Sequence, residues 1–330
     1  MYSFLEKLGD PELMSLVGKM PSKINDRLVS KFFKRITSKY AQYDVALLWL
    51  LMYQNENSQE ILGYISKNYA KFHKVYDRGF LKKLVKRNCF SSHMWEMIIC
   101  DILSNYGEFV PKKARGSDFL LKLKNGSLIQ VEAISMNEAS EGGIRSDRPD
   151  FSAGNFVSLA GKTDDLERAV LLRFASGLKE KAESKTYDSN KPLIIAINSS
   201  NAVGFTSRDN FVLRWILFGL GNDTITRHSD GSYSRGLEQK VEAPGKTGSF
   251  PVAWFRDIEY KNVSGVIYTS QPPQGFIPQG YSWQNYGMTF VANPNALNPA
   301  EIDFKCMKKL RVTQQEYGEE EATSDFYSSV

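Results

Sequence analysis

The chain has 330 residues, 42% of them hydrophobic and 24% charged, which allows a real globular core in one large domain or two ordinary ones. Its longest apolar run, Val45–Tyr53, is far short of a membrane span. Cys89, Cys100 and Cys306 are odd in number and form no Cys-x-x-Cys, so they read as reduced thiols of a cytoplasmic protein, and no secretory signal opens the chain.

The net charge of +5 is unevenly spread. Residues 1–90 hold 16 Lys and Arg against 8 Asp and Glu, and the remainder is slightly acidic. A basic first third suggests a polyanionic partner, although a solvated helical surface would look the same. Apolar residues recur there at three and four, as in Leu28, Phe32, Phe33 and Ile36. That spacing predicts a helical N-terminal domain ending near Phe90.

Ser91 or Ser92 is placed to cap the next helix, and Gly107 to end it after Tyr106. Trp95, Ile99, Ile102, Leu103 and Tyr106 form its buried stripe. Glu96 lies about 100° round from Trp95, on the flank of that stripe.

Two strands follow, Asp118–Lys124 and Ser127–Ala133, joined through Asn125-Gly126. A two-residue loop would mix polar and apolar residues on both faces. A three-residue loop, Lys124-Asn125-Gly126 with Gly126 left-handed, puts Phe119, Leu121, Leu123, Ile129 and Val131 on one face. Asp118, Lys122, Gln130 and Glu132 then share the other, with Leu120 and Leu128 among them. This register sets Asp118 directly opposite Glu132, with Cβ atoms about 4.5–5.5 Å apart. Carboxylates that close repel unless one is protonated or a cation lies between them, and a hard divalent ion such as Mg²⁺ is the usual solution.

Residues 137–161, rich in Gly, Ser, Asp and Asn, read as a mobile loop carrying Arg145 and Arg148 over whatever the second strand binds. Asp164, with Glu167 three residues on, opens a helix running to about Lys185. Leu166, Val170, Phe174, Leu178 and Ala182 are its core stripe. Lys181 and Lys185 fall within that arc and Arg173 at its edge. Pro192–Asn198 is the pattern of a strand covered on both faces, reached by a right-handed crossover. Phe211–Leu220 is expected to be helical, Gly221–Ser249 to be a polar, Gly-rich insertion, and Val263–Thr269 and Met288–Ala292 to be strands. Asn293-Pro294 and Asn298-Pro299 mark turns. Residues 316–330 form an acidic, Ser-rich tail with a disordered composition.

A helix with Glu, Gly-x-Asp on a strand, Val-Glu-Ala on the next strand, then a helix with Lys: this order resembles the PD-(D/E)XK nuclease superfamily, over roughly residues 91–200. The resemblance implies an α/β fold class: a helical N-terminal domain (1–90), a restriction-endonuclease-like mixed sheet flanked by helices (91–315) and the acidic tail. It implies that Asp118 and Glu132 bind Mg²⁺, or Mn²⁺ as a substitute, with the Ala133 carbonyl, and that Glu96 joins the metal shell. The motif's lysine belongs two residues after the Glu, where this chain has Ile134. Some members supply it from the following helix, which points to Lys181, with Arg173 and Lys185 as alternates. Arg173, Lys185 and Arg145 are then candidate substrate contacts. The implied activity is phosphodiester hydrolysis of nucleic acid, DNA favoured, in defence or DNA processing. The implied protein is cytoplasmic, a homodimer if it cuts duplexes, and has no membrane partner.

Other chemistries fare worse. Gly245-Lys246-Thr247 matches the end of a phosphate loop, but Lys240 stands where the first glycine belongs. His73, His93 and His228 have no zinc spacing, and no Gly-x-Ser-x-Gly is present. The alternatives are a non-catalytic nucleic-acid-binding or interaction protein on the same fold, and a small-molecule or protein binder using the loops 137–161 and 221–249.

Overall fold

The computed structural model describes residues 44, 47, 48, 50, 56–86, 88–111, 116–136, 163–200, 212–240, 242–245, 248–256, 260–271 and 287–310. The helical pattern at 28–36, Arg145, Arg148 with its loop and the tail 316–330 lie outside the described residues, as do the side chains of Asp164, Leu166, Glu167 and Val170. Among the described residues, no helix is long and apolar enough to cross a membrane.

The fold is α/β. Helices α1 (Glu56–Phe72), α2 (Phe80–Leu84) and α3 (Phe90–Leu103) precede strands β1 (Gly107–Phe109), β2 (Phe119–Leu123) and β3 (Leu128–Ser135). Helix α4 (Thr163–Ala182) crosses to β4 (Leu193–Asn198). A π-helical turn, Arg214–Phe218, leads into β5 (Leu220–Arg227), β6 (Tyr233–Gln239), β7 (Glu242–Gly245) and β8 (Gly248–Pro251). The chain then returns through β9 (Gly265–Thr269), β10 (Thr289–Ala292) and β11 (Lys308–Leu310).

Seven strands make one mixed sheet in the order β1-β2-β3-β4-β9-β10-β11. β1, β2 and β3 form an antiparallel meander, whereas β3, β4 and β9 run parallel. The pairing of β2 with β3 follows the three-residue loop, with Phe119 opposite Val131 and Leu121 opposite Ile129. Gly126 sits at φ 88°, where its N–H bonds the Leu123 carbonyl at 2.9 Å. An L side chain is strained there, so the glycine selects the loop and the loop selects the register.

Each face of the sheet has its own core. On one face, Phe119, Leu121, Ile129, Val131, Ile194, Ala196 and Ile267 pack with α1, α2 and α3. Trp95 of α3 is wholly buried and donates its indole N–H to the Ala196 carbonyl at 3.0 Å. The described part of residues 1–90 therefore shares its core with the sheet. On the other face, Leu171, Phe174 and Leu178 of α4 pack with Ile195, Ile197, Val266 and Tyr268, and with Trp215 to Phe218 of the π turn.

Several expected boundaries move. Helix α3 starts at Phe90, one residue before the expected serine caps, and Ser92 instead donates to the Cys89 carbonyl. Gly107 does not end that helix but opens β1, where a Cβ would meet the Lys122 carbonyl oxygen at 2.2 Å. Glycine is what lets β1 approach β2 so closely. Helix α4 stops at Ala182, so Lys185 lies beyond it and is exposed. The expected helix 211–220 is helical over 212–218, its last five residues π-helical, and closes at left-handed Gly219. The described residues of 221–249 are not one loop but build two antiparallel hairpins, β5–β6 and β7–β8.

Candidate active site

One step beyond the Phe119–Val131 pair, the same register brings Asp118 opposite Glu132. Phe119 and Val131 form a hydrogen-bonded pair in this ladder, so Asp118 and Glu132 occupy the close, non-hydrogen-bonded position. Alternation along β3 turns Gln130, Glu132 and Ile134 away from the α3 core and toward α4. Asp118 shares that face.

The two acids are interlocked through backbone amides. The Asp118 N–H donates to Glu132 Oε2 at 3.0 Å, and the Ala133 N–H donates to Asp118 Oδ2 at 2.9 Å. Further along β3, the N–H groups of Gln130 and Met136 donate to β4-side carbonyls at Pro192 and Asn198. Even-numbered residues of β3 thus point their backbone at β4, and odd-numbered ones point at β2. The Ala133 carbonyl, like its N–H, therefore faces the end of β2, beside Asp118.

Lys181 completes the group. It projects from the last turn of α4, and its Nζ lies 2.8 Å from Glu132 Oε1. The helical repeat that aligns Lys181 with Leu178 and Phe174 aims it at this face of the sheet. Its side chain keeps 29% exposure, against 9% for Glu132, so the ammonium is reachable from solvent while the carboxylate is not.

The electrostatics of the pair are unbalanced. Burial first, then the Asp118 charge, push the Glu132 carboxyl above its usual value, and the Lys181 bond offsets this only in part. Burial pulls the Lys181 ammonium down, but its bond to Glu132 and the charges of Glu132, Asp118 and Glu180 outweigh it and hold it above its usual value. A surplus of negative charge remains beside a lysine that stays protonated. The donor atoms present are hard oxygens: two carboxylates and the Ala133 carbonyl. Among the described residues no group of three or more His, Cys, Asp or Glu side chains could hold a metal. A cation here would therefore complete its shell with water or ligand oxygens, as Mg²⁺ commonly does.

Three other expected residues lie on α3, on α4 and just past the end of α4. Glu96 is half-buried on α3, whose core lies across the sheet from the face carrying Glu132. Its carboxylate contributes to raising the buried Cys100 thiol to about 12, behind burial, the largest cause. Lys185 lies past the helix end, and Arg173 is half-buried two turns before Lys181. Arg145 lies outside the described residues.

One neighbour carried no sequence signal. Tyr187, half-buried after α4, is near enough to Glu132 and Asp118 to feel their charges. Burial, then the charges of Glu132 and Asp118, push the phenol above its usual value, so it stays a proton donor. Tyr187 sits in an irregular segment after α4, where no periodicity marks it. His93 of α3 is close enough to feel Asp118, although burial, the larger effect, lowers it.

No family model matches the chain, and neither a curated protein nor a solved structure matches it.

Proposed function

We propose that this protein is a metal-dependent nuclease that hydrolyses phosphodiester bonds of nucleic acid, DNA favoured, on the pattern of the PD-(D/E)XK superfamily. The observation that carries this reading is the triad of Asp118, Glu132 and Lys181 on one face of a strand meander, with Nζ 2.8 Å from Glu132. The order helix, antiparallel meander, crossover helix and parallel strand supports it further.

Asp118, Glu132 and the Ala133 carbonyl would hold the divalent ion, Mg²⁺ or Mn²⁺. Bound there, such an ion clamps a phosphate oxygen and lowers the pKa of the attacking water. The chain's own groups do the rest. Lys181, released from Glu132, turns its ammonium to the phosphate and stabilises the negative charge that develops there. Glu96 of α3 would join the metal shell or orient the attacking water. Lys67, Lys74, Arg78, Lys82, Lys83 and Lys86 are exposed and basic, and suit non-specific phosphate contacts that weaken as salt rises.

The test is cleavage of labelled single- and double-stranded DNA and RNA in Mg²⁺ or Mn²⁺. The wild type cuts, and Asp118→Ala and Glu132→Gln lose activity by about a thousandfold or more, an effect on the barrier of ~4 kcal/mol. Failure to cut any of these substrates with either ion would remove the reading. Salt-dependent binding without cleavage, unchanged by Asp118→Ala, would support a non-catalytic nucleic-acid-binding protein instead. The interlock of both acids with backbone amides is the feature that favours that second reading.

A further inference from the structure

The β5–β6 hairpin leaves the body of the protein as an arm. Its base is tied down: Leu220 is buried in the α4-side core, Leu237 packs against that core, and the Lys240 N–H bonds the Gly219 carbonyl at 2.6 Å. Between Leu220 and Asp223 the register shifts by one extra residue of β5. A bulge of this kind bends and re-aims the strand beyond it. From Ile225 to Ser234 every residue is exposed. The arm springs from the π turn that packs with α4, the helix of Lys181, on the α4 side of the sheet.

Register sorts the arm into two faces. Ile225 opposes Arg235 and Arg227 opposes Tyr233, so these four positions share one face, and Thr224, Thr226 and Ser234 lie on the other. Ile225 at 68% and Tyr233 at 66% are the most exposed large hydrophobic residues among the described ones. The Arg227 guanidinium lies over the Tyr233 ring, 5.9 Å from its centroid. At the base, exposed Arg256 donates to Gln239 Oε1 at 3.1 Å. Alternation along β6 puts Gln239 on the face of Tyr233 and Arg235, so arginine positions run from base to tip over about 20 Å. Between 224 and 237 the one acid is Asp230. Its Oδ1 accepts from the Ser232 N–H at 2.8 Å and the Ser232 hydroxyl at 2.6 Å, which closes the turn.

We propose that the β5–β6 arm seats in the major groove of duplex DNA, where Arg227 and Arg256 meet phosphates and Ile225 and Tyr233 touch base edges. The proposal rests on the nuclease reading for its purpose and names duplex DNA as the substrate of that site. Shape supports it: two strands about 4.8 Å apart make a ribbon that a groove about 12 Å wide admits. The major groove of duplex RNA is deep and narrow and shuts such a ribbon out, and a single strand has no groove. Charge supports it too, because a cationic, tyrosine-bearing face complements a polyanion of stacked bases. Docking of two copies arm to arm would instead bury these cations with only Asp230 of the distal arm to pair them, and a buried unpaired charge is costly.

The experiment measures fluorescence anisotropy of the full chain, without metal, on a labelled DNA duplex of about two helical turns. An RNA duplex and a DNA single strand of the same sequence are run beside it, each across a salt series. Wild type is expected to bind the DNA duplex about tenfold more tightly than the other two. Arg227→Ala and Tyr233→Ala are each expected to weaken the DNA duplex about tenfold, and Arg227→Ala to lower the salt slope by about 1. A shortened arm, with residues 225–235 replaced by Asn-Gly so that Thr224 closes on Gly236, is expected to lose the preference for duplex DNA. Unchanged duplex affinity in the shortened arm would overturn the proposal, as would equal wild-type binding to duplex RNA. If the shortened arm halves the mass in sedimentation and keeps its DNA affinity, the occupant is a second copy and the proposal falls. Binding is read without metal, so the two ideas fail separately. A protein that binds through the arm and never cuts removes the nuclease reading alone, and one that cuts with its affinity unmoved by the shortened arm removes the arm alone.

Discussion

The two faces of the β2–β3 hairpin are built from alternate residues of the same strands, yet they behave oppositely. Toward α3, Phe119, Leu121, Ile129 and Val131 are buried among apolar side chains, and the Trp95 indole that arrives there finds a carbonyl. Toward α4, Gln130 and Glu132 are as deeply placed, but each needs a specific partner: a backbone pair for the amide, an ammonium and an N–H for the acid. The first face is stabilised by area and tolerates approximate partners. The second is stabilised by pairing and leaves a charge surplus that neither Lys181 nor the two amides cancel. A sheet can keep such a face only because the other one carries the stability.

The largest expected effect breaks the apolar face. Trp95→Ala leaves a cavity in the wholly buried core and removes the indole bond to the Ala196 carbonyl, so urea denaturation is expected to report a loss of about 3–5 kcal/mol. An unchanged midpoint would mean that the two faces are not divided as described.

Next comes a contrast within the polar face. Lys181→Met is expected to lower cleavage by about 10²–10³-fold, as removal of a transition-state donor does elsewhere, with little loss of stability. Lys185→Met, past the end of α4 and exposed, is expected to leave the rate constant unchanged. Equal losses from both would point to general charge and not to the ammonium at Glu132.

The pH response sharpens the same contrast. A carboxyl held above its unfolded value of 4.5 adds stability while it is protonated, and that contribution fades as pH rises through its folded midpoint. The metal-free protein is therefore expected to lose stability from about pH 4.5 upward, and Glu132→Gln to flatten that slope. Mg²⁺ affinity runs the other way over the same window, rising with pH as Glu132 loses its proton. Lys181, held above its usual value, stays charged throughout. Thermal melts with and without Mg²⁺ across this range are the measurement, and parallel slopes would contradict it.

The smallest effect tests the register itself. A Cβ on Gly126 meets nothing within 4 Å, so Gly126→Ala is expected to cost only the strain of its left-handed backbone, about 1–2 kcal/mol. Cleavage per folded molecule should persist, because the apolar face still fixes which residues oppose each other.

Much of the hairpin is legible in the sequence. Its register follows from a period of two and one glycine, both local, and these place Asp118 against Glu132. The angle of Lys181 is also local, set by the helical repeat. Glu96 shows the limit: its angle on α3 is readable, but the face of the sheet that α3 covers is not. Lys185 shows another, since no glycine or proline marks the end of α4 and the helix stops at Ala182. The hairpins at 220–251 were readable in part, for Asp230-Gly231 is a turn signal, but strands that bury only a few residues, Leu220 and Ala243 among them, carry little alternation.

By itself, then, the sequence determined the pairing of two carboxylates and the angle of one lysine, because strand period, turn geometry and helical repeat are short-range. Only the tertiary structure decided which helix meets which face, that Gln130 holds Asp188 fifty-eight residues away, and that Tyr187 comes within range of the Glu132 charge. Those contacts join segments with no shared periodicity, and burial and hydrogen bonding select them only once the layers have packed.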